Sequence, residues 1–249
     1  MKRHGYFMEK QLEIFEKDLK QLHLELSKKQ ILQFISYYEL LIDWNSRMNL
    51  TAITEFEDVL KKHFIDSLSL ISAVSDLTQK QYDLIDVGTG AGFPGIPLKI
   101  AFPNLKITLL DSLNKRIQFL NEVICKLELQ DIEAVHGRAE DFAKPDQFRE
   151  RYDLCVSRAV ANLATLSEYC IPFVKPGGFF ISYKSEKVNV ELEEAKKAIS
   201  VLGGSFQKNI EFLLPHSDIT RNFIVIQKKN KTPLKYPRKA GLPSKEPIH

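Results

Sequence analysis

The feature that most constrains the fold is a change of hydrophobic pattern near residue 82. Beyond it, short strand-like apolar runs, beginning with YDLIDV and KITLLD, alternate with runs of helical spacing such as NKRIQFLNEVICKLE. Such alternation is typical of a parallel sheet with helices on both faces, so we predict an α/β fold. The last two strand-like runs, SFQKNIEFLL and NFIVIQKK, have no helix between them and predict a terminal antiparallel hairpin at one edge.

The segment before this change has apolar residues at helical spacing and predicts three helices. Ser27 with Gln30 forms a capping box that predicts where the second helix begins. Thr54 with Glu57 forms another, which predicts the start of the third helix.

These patterns divide the chain into three parts. We predict an N-terminal helical annex over 1–80, an α/β core over 81–230 and a basic, proline-rich C-terminal tail over 231–249. Residues 1–7 look like an extension, and we assign no function to them.

Composition is that of an ordinary globular protein, with 44% hydrophobic and 27% charged residues. No apolar stretch reaches the ~20 residues of a membrane span, and no apolar segment of a secretory signal follows MKRHGYF. The three cysteines form no close-spaced motif, so we expect reduced thiols, with Cys155 buried in a strand, and a cytoplasmic protein.

The net charge of +3 conceals a basic C-terminus. From Lys228 onward the chain has seven Lys and Arg, one Glu and four prolines, which exclude a long regular helix or a central strand. Two interpretations stay open: a solvated, floppy end, or an arm that contacts phosphates, which Tyr236 among the basic residues favours slightly.

A glycine-rich segment, GTGAGFPG, follows the first predicted strand. Glycines at this point let the backbone turn sharply and let a ligand approach without a Cβ in the way. Ligands of open α/β sheets bind at the carboxyl ends of the strands, so we predict a nucleotide-type cofactor here.

Two cofactors fit the glycines. Read from Gly90, the segment matches the dinucleotide pattern G-x-G-x-x-G, which would indicate NAD. Read from Asp86, it is an acidic residue followed by Gly88, Gly90 and Gly92, and this frame begins where the strand ends. A carboxylate suits the sulfonium and ammonium charges of S-adenosylmethionine and is awkward beside a pyrophosphate, which favours the second reading.

Acidic residues follow the next two predicted strands. Asp111 ends KITLLD, the position of a carboxylate that accepts hydrogen bonds from ribose hydroxyls. The third strand is followed by HGRAED, where Glu140 or Asp141 is expected near an adenine amine. The alternative for these two is a helix N-terminus with acidic residues in its first turn.

At this point several segments resemble one bacterial family. GTGAGFPGIPLKI, LLDSLNKRIQFL, WNSRMNLTAIT, HFIDSL, HGRAED, VSRAVANL (156–163) and YPRKAGLPSKEPI (236–248) look like the ribosomal RNA small subunit methyltransferase G family, also called glucose-inhibited division protein B. The resemblance extends from about Leu41 to the C-terminus, and the loop together with the tail makes it specific.

The resemblance implies a class I, Rossmann-like methyltransferase core that transfers a methyl group from S-adenosyl-L-methionine to N7 of one guanosine in 16S rRNA. Its implied partner is 16S rRNA or the small ribosomal subunit, and we expect a cytoplasmic monomer. Carried over by position, the family's cofactor contacts fall on Gly88, Phe93, Ala139, Glu140 and Arg158. Asp86, Gly90, Gly92 and Asp111 complete the predicted cofactor site from their spacing.

Arg158 has a second predicted role, because a guanidinium recognises guanine O6 and N7 well. Its alternative is a structural ion pair at a strand end. Further predicted rRNA contacts are Lys184, Lys235, Arg238 and Lys239, each of which could instead be solvated surface charge.

Guanine N7 carries no proton to lose, so methylation there needs proximity and alignment rather than a general base, and we expect no catalytic His or Cys. His63 and His136 are read as structural or surface histidines, although His63 could line the site. No Asn-Pro-Pro-aromatic run and no Cys/His cluster with metal-ligand spacing is present, so we predict neither amino-group methylation nor a metal.

Two alternatives stay open. One is an NAD-dependent oxidoreductase, which nicotinamide binding would reveal. The other is a non-catalytic RNA-binding or ribosome-assembly protein, which would bind RNA without affinity for the cofactor.

Overall fold

The computed structural model describes residues 2–158, 161–185 and 188–248, and within them seven strands form one sheet. The spatial order is β3-β2-β1-β4-β5-β7-β6. The strands are β1 (Asp83–Val87), β2 (Lys106–Asp111), β3 (Ile132–His136), β4 (Tyr152–Arg158), β5 (Val174–Lys184), β6 (Gly204–Leu213) and β7 (Thr220–Lys228). Strands β1 to β5 are parallel, and β7 lies antiparallel between β5 and β6. The predicted α/β sheet with a terminal antiparallel hairpin is confirmed.

The helices of the described residues flank the strands. They are α1 (Lys2–Gln21), α2 (Lys28–Asn45), α3 (Phe56–Val59), α4 (Asp66–Leu68), α5 (Gly95–Ala101), α6 (Asn114–Lys126), α7 (Ala139–Phe142), α8 (Leu163–Cys170), α9 (Val188–Val201) and α10 (Leu242–Lys245). Between α3 and α4 the chain forms a π-helical segment, Leu60–Ile65. Such wider turns are frequent at functional sites, and this one carries His63.

Only one of the two predicted capping boxes forms. The Ser27 hydroxyl accepts from the Gln30 amide and the Gln30 side chain accepts from the Ser27 amide, as predicted. The Thr54–Glu57 box is wrong, because α3 begins at Phe56 after Glu55, whose side chain makes no capping bond.

The helical annex and the sheet share one hydrophobic core. Phe15, Phe34 and Phe64 of the annex pack edge-on or tilted against one another with ring centroids 4.9–6.4 Å apart. The same cluster of buried residues continues into Phe93 of the glycine-rich loop and Ile107 of β2. The annex therefore positions the loop.

The C-terminal tail packs against the core, which contradicts the floppy-end interpretation. Arg149 donates to the carbonyl oxygens of Thr232, Pro233 and Tyr236, and Thr232 is buried. The helix α10 has only four residues, as the prolines predict.

None of the helices in the described ranges is long and apolar enough to cross a membrane. The cysteines are unpaired, with Cys155 buried in β4 as predicted. In VSRAVANL, Ala159 and Val160 lie outside the described residues, as do Met1 and His249 at the ends of the annex and tail.

Candidate active site

The glycine-rich loop lies at the carboxyl end of β1, where the order of the sheet reverses between β2 and β4. Gly88, Gly90 and Gly92 have φ of +72°, +62° and +94°, a region that side chains with a Cβ rarely adopt. The tight turn thus starts directly after Val87, the frame that the sequence favoured for S-adenosylmethionine. Gly95 has no such φ, but a Cβ there would lie 2.2 Å from Leu109 Cδ2.

Asp86 fixes this loop from inside. Its Oδ2 accepts from the Thr89 hydroxyl at 2.7 Å and from the Gly95 amide at 2.9 Å. Burial raises the pKa of the Asp86 carboxyl to about 6, although these two hydrogen bonds favour the charged form. Its Oδ1 is buried without a partner among the described residues. The structure shows a loop anchor, and the predicted neutralisation of a cationic ligand stays a prediction.

Two adjoining cavities open on either side of Gly88, Asp111 and Ser112, with volumes of about 420 and 330 Å³. The larger is bounded by Gly90, Phe93 and Arg158, and the smaller by Ala139 and Glu140. A Cβ built on Gly90 would have no atom within 4 Å, so this glycine leaves room for a ligand. The structure therefore brings the nine predicted cofactor residues to one edge of the sheet, with the Asp86 side chain turned inward.

Asp111 separates the two cavities and organises their boundary. Its Oδ2 accepts from the Gly90 amide at 2.9 Å and from Arg116 Nη1 at 3.2 Å, and its Oδ1 accepts from the Leu113 amide at 2.9 Å. Because a carboxylate offers about four lone-pair positions, the less occupied Oδ1 retains capacity for a further donor.

An ion-pair network holds Arg158, which lines the larger cavity, from behind. Arg158 Nη1 donates to Asp66 Oδ2 at 2.9 Å, and Arg221 Nε donates to Asp66 Oδ1 at 2.8 Å. Arg158 Nη2 lies 3.0 Å from His63 Nδ1, and its guanidinium carbon is 5.0 Å from the Phe93 ring centroid. Both readings of Arg158 hold geometrically, because it is paired at a strand end and also lines the cavity.

His63 is held neutral beside Arg158. Its ring stacks on Phe93 with centroids 4.3 Å apart and planes 15° apart. Burial, together with the positive charge of Arg158, lowers the pKa of His63 to about 3. A neutral imidazole at this position can accept from Arg158.

The smaller cavity has the C-terminal tail as part of its wall. Gly241 and Ser244 line it together with Ala139, Glu140 and Tyr169. The Gly241 amide donates to Glu140 Oε1 at 2.9 Å, which connects the tail to α7. Asp141, the alternative to Glu140, is exposed and pairs with Lys144.

Two residues predicted to contact rRNA make other contacts in the structure. Lys184 donates to the Ala161 carbonyl at 2.9 Å and to Glu191 at 2.6 Å, and its side chain is 10% exposed. Arg238 is paired with the buried Glu168. Both charges are neutralised within the chain, so we do not carry these two forward as rRNA contacts.

The other two lysines predicted to contact rRNA, Lys235 and Lys239, are exposed. His136 is also exposed, and its ring nitrogen Nε2 lies 3.1 Å from the Ser112 carbonyl oxygen.

Sequence reasoning missed residues contributed by the annex and by β7. Tyr37 supports the loop, Thr51 lines the larger cavity, and Asp66 and Arg221 complete the ion-pair network. The segment HFIDSL contained a signal, because it places His63 and Asp66 three residues apart in one helical segment. Across the described ranges, no group of three or more His, Cys, Asp or Glu side chains could hold a metal ion.

Comparison with known proteins agrees with this geometry. The family model described as rRNA small subunit methyltransferase G matches residues 30–220. A "Ribosomal RNA small subunit methyltransferase G" from Lachnoclostridium phytofermentans is 56% identical over 234 residues, covering 94% of this chain and 96% of its own. A protein of the same name from Bacillus thuringiensis is 50% identical over 237 residues, which cover 95% of this chain and 98% of the relative.

Among solved structures, M. jannaschii TYW2 in complex with AdoMet has a TM-score of 0.50 at 14% identity, covering 65% of this chain and 74% of its own. A mutant of MtNAS has a TM-score of 0.54 at 12% identity, and the match covers 81% of this chain and 75% of the MtNAS chain. At these identities the likeness concerns the fold alone.

Proposed function

The chain belongs to the rRNA small subunit methyltransferase G family, and we propose that the two cavities described above are its methyl-transfer site. The enzyme transfers a methyl group from S-adenosyl-L-methionine to N7 of a guanosine in the 16S rRNA of the small ribosomal subunit. The observation that carries the assignment of the site is the open space over Gly90, between Asp111 and Phe93, at the switch point of the sheet.

The residues of the two cavities fit the donor. Asp111 retains acceptor capacity for ribose hydroxyls, and Gly88 and Gly90 present backbone to the larger cavity without a side chain in the way. Ala139 and Glu140, with Tyr169 beside them, would hold the adenine in the smaller cavity. When bound, S-adenosylmethionine supplies a sulfonium-activated methyl group.

The chain's own contribution to the reaction is positioning. Guanine N7 is a lone-pair acceptor on the major-groove edge, so no group needs to remove a proton. Proximity and alignment can contribute about 7–11 kcal/mol to the lowering of a barrier. The neutral His63 stacked on Phe93 presents an aromatic surface, and Arg158 presents a donor for a base or a phosphate.

We propose that the exposed Lys235 and Lys239 contact rRNA phosphates. We also propose that the protein acts as a monomer in the cytoplasm. The exposed basic charge of the packed tail supports the proposed phosphate contacts. The family's rRNA substrate supports the proposed location in the cytoplasm.

The experiment uses small subunits and free 16S rRNA from a strain that lacks this gene. Each is incubated with the protein and labelled S-adenosylmethionine, and 7-methylguanosine is mapped by borohydride–aniline cleavage. Cleavage at one guanosine is expected, and the more reactive substrate identifies what is recognised. Gly90→Ala, which places a Cβ in the open space, serves as the variant that should bind the cofactor more weakly and slow transfer.

The alternatives give different results. Binding of NAD with no methyl transfer would favour an oxidoreductase. RNA binding with no affinity for S-adenosylmethionine would favour a non-catalytic RNA-binding protein.

A further inference from the structure

Thr51 lies in the larger cavity and is held there from the end of α2. The Asn45 side-chain oxygen accepts from the amides of Leu50 and Thr51 at 2.8 and 2.9 Å. The position of Thr51 is thus fixed by a helix-terminal side chain that is only partly exposed.

The direction of the hydrogen bond between Thr51 and His63 follows from the partners of the imidazole. Arg158 only donates, so His63 Nδ1, 3.0 Å from Arg158 Nη2, must accept. A neutral His63 then carries its proton on Nε2, and it donates to Thr51 Oγ1 at 2.8 Å.

A second donor uses the remaining acceptor position of Thr51. The Ile53 amide donates to Thr51 Oγ1 at 3.0 Å. A hydroxyl has two lone pairs and one proton, and both lone pairs are now occupied. The hydroxyl proton has no acceptor among the hydrogen bonds of the described residues, so Thr51 can only donate to a ligand in the cavity.

A hydroxyl restricted to donating distinguishes guanine from adenine. Beside N7, guanine presents the acceptor O6, whereas adenine presents the donor N6 amino group. An ordinary hydroxyl satisfies either, because it can donate or accept. We propose that Thr51 is a specificity-determining residue that selects guanine by donating to O6, with its direction fixed by Arg158 through His63. This inference rests on the proposed function.

The test is a substrate–enzyme double-mutant cycle on reconstituted small subunits. Their 16S rRNA carries either guanosine or 2-aminopurine riboside, which keeps N7 but lacks O6, at the mapped target. The variants are Thr51→Val, which is isosteric without a hydroxyl, Thr51→Ser, which keeps it, and Thr54→Val, an exposed control on the same segment. Transfer rates and the Kd for S-adenosylmethionine are measured.

Wild type should prefer guanosine to 2-aminopurine by about tenfold in kcat/KM, the effect of one hydrogen bond. Thr51→Val should lose that preference and keep the Kd for S-adenosylmethionine within about twofold, whereas Thr51→Ser and Thr54→Val should keep both.

Three results would overturn the inference. Wild type could methylate both substrates equally, which needs no variant and holds even if Thr51→Val does not fold. Thr51→Val could retain the preference, or it could weaken binding of S-adenosylmethionine tenfold with the preference intact, which would place the hydroxyl on the cofactor. Absence of 7-methylguanosine from wild-type reactions would instead remove the proposed function, and this inference with it.

Discussion

The hydroxyl of Tyr37 in α2 donates to the carbonyl oxygen of Ala91 in the glycine-rich loop, fifty-four residues away. Both residues are buried, and the Tyr37 ring packs between Phe64 and Phe93 with centroids 5.4 Å from each. A helix of the annex therefore sets the conformation of the proposed cofactor loop directly. The annex is part of the site, beyond covering the sheet.

Tyr37→Phe should lower the free energy of unfolding by about 1–3 kcal/mol, because it leaves a buried carbonyl without its donor. Cofactor affinity should fall as well, since the loop loses a support. Urea unfolding and calorimetric titration with S-adenosylmethionine measure the two effects. Tyr38→Phe is the matched control, because its hydroxyl donates to the Thr54 carbonyl at 3.1 Å in an exposed position. Equal effects of the two variants would contradict the prediction.

Alanine at two loop glycines should separate folding from binding. At Gly92 the added Cβ would lie 2.6 Å from Ile96 Cγ1 and 2.9 Å from Leu120 Cδ2, whereas at Gly90 it meets nothing within 4 Å. Both positions have positive φ, which costs about 1–2 kcal/mol for alanine. Gly92→Ala should therefore be the less stable variant. Gly90→Ala should weaken cofactor binding more than tenfold with the smaller loss of stability of the two variants, and the reverse order would contradict this site.

The sheet and the loop could be predicted from the sequence because their signals are local. The Asp86–Gly92 segment requires glycine at the three positions with positive φ, and these glycines lie within five consecutive residues of the sequence. The terminal hairpin was visible because two strand-like runs lacked a helix between them. The Thr54–Glu57 capping box does not form because α3 begins at Phe56, so the N-cap position falls on Glu55, one residue after Thr54.

The rest of the site depends on contacts between distant segments. Arg221 reaches Asp66 across 155 residues of chain, and no spacing rule connects a residue of β7 with one of the annex. The same applies to Arg238, whose charge suggested a phosphate contact. Its partner Glu168 is seventy residues away, and nothing in a basic tail indicates that one of its charges is already neutralised.

His63 and Asp86 should change the free energy of unfolding in opposite directions as pH falls. Burial and Arg158 lower the pKa of His63 from 6.5 to about 3, so the unfolded chain binds more protons between these values, and His63 reduces stability as pH falls from 6.5. Burial raises the pKa of Asp86 from 3.8 to about 6, so the native state binds more protons there, and Asp86 increases stability as pH falls from 6 towards 3.8.

His63→Gln should therefore flatten, or reverse, the loss of unfolding free energy between pH 6.5 and 4. The contribution of one group is at most about 1.4 kcal/mol per pH unit. Urea unfolding at half-unit intervals measures the slope. His136→Gln, at an exposed position on β3, is the control for loss of a histidine outside the larger cavity. An unaltered slope in His63→Gln would show that this imidazole titrates equally in both states.

The ion pair between Arg238 and Glu168 should hold the tail against the smaller cavity. Arg238 Nη2 donates to Glu168 Oε2 at 2.7 Å, the Arg238 amide donates to Oε1 at 2.7 Å, and the Glu168 side chain is 1% exposed. Arg238→Met should cost about 3 kcal/mol, because it leaves a buried carboxylate unpaired. Binding of S-adenosylmethionine should weaken in the same variant, since Gly241 and Ser244 of the tail line the cavity.

A double-mutant cycle distinguishes loss of the Arg238–Glu168 ion pair from general damage to the tail. Arg238→Met with Glu168→Leu should be more stable than the sum of the single variants indicates, because neither charge is then left buried alone. Lys245→Ala, at an exposed position of the same tail, should change neither stability nor cofactor affinity. If Arg238→Met loses stability but binds S-adenosylmethionine as wild type does, the tail supports the fold without forming a working wall of the site.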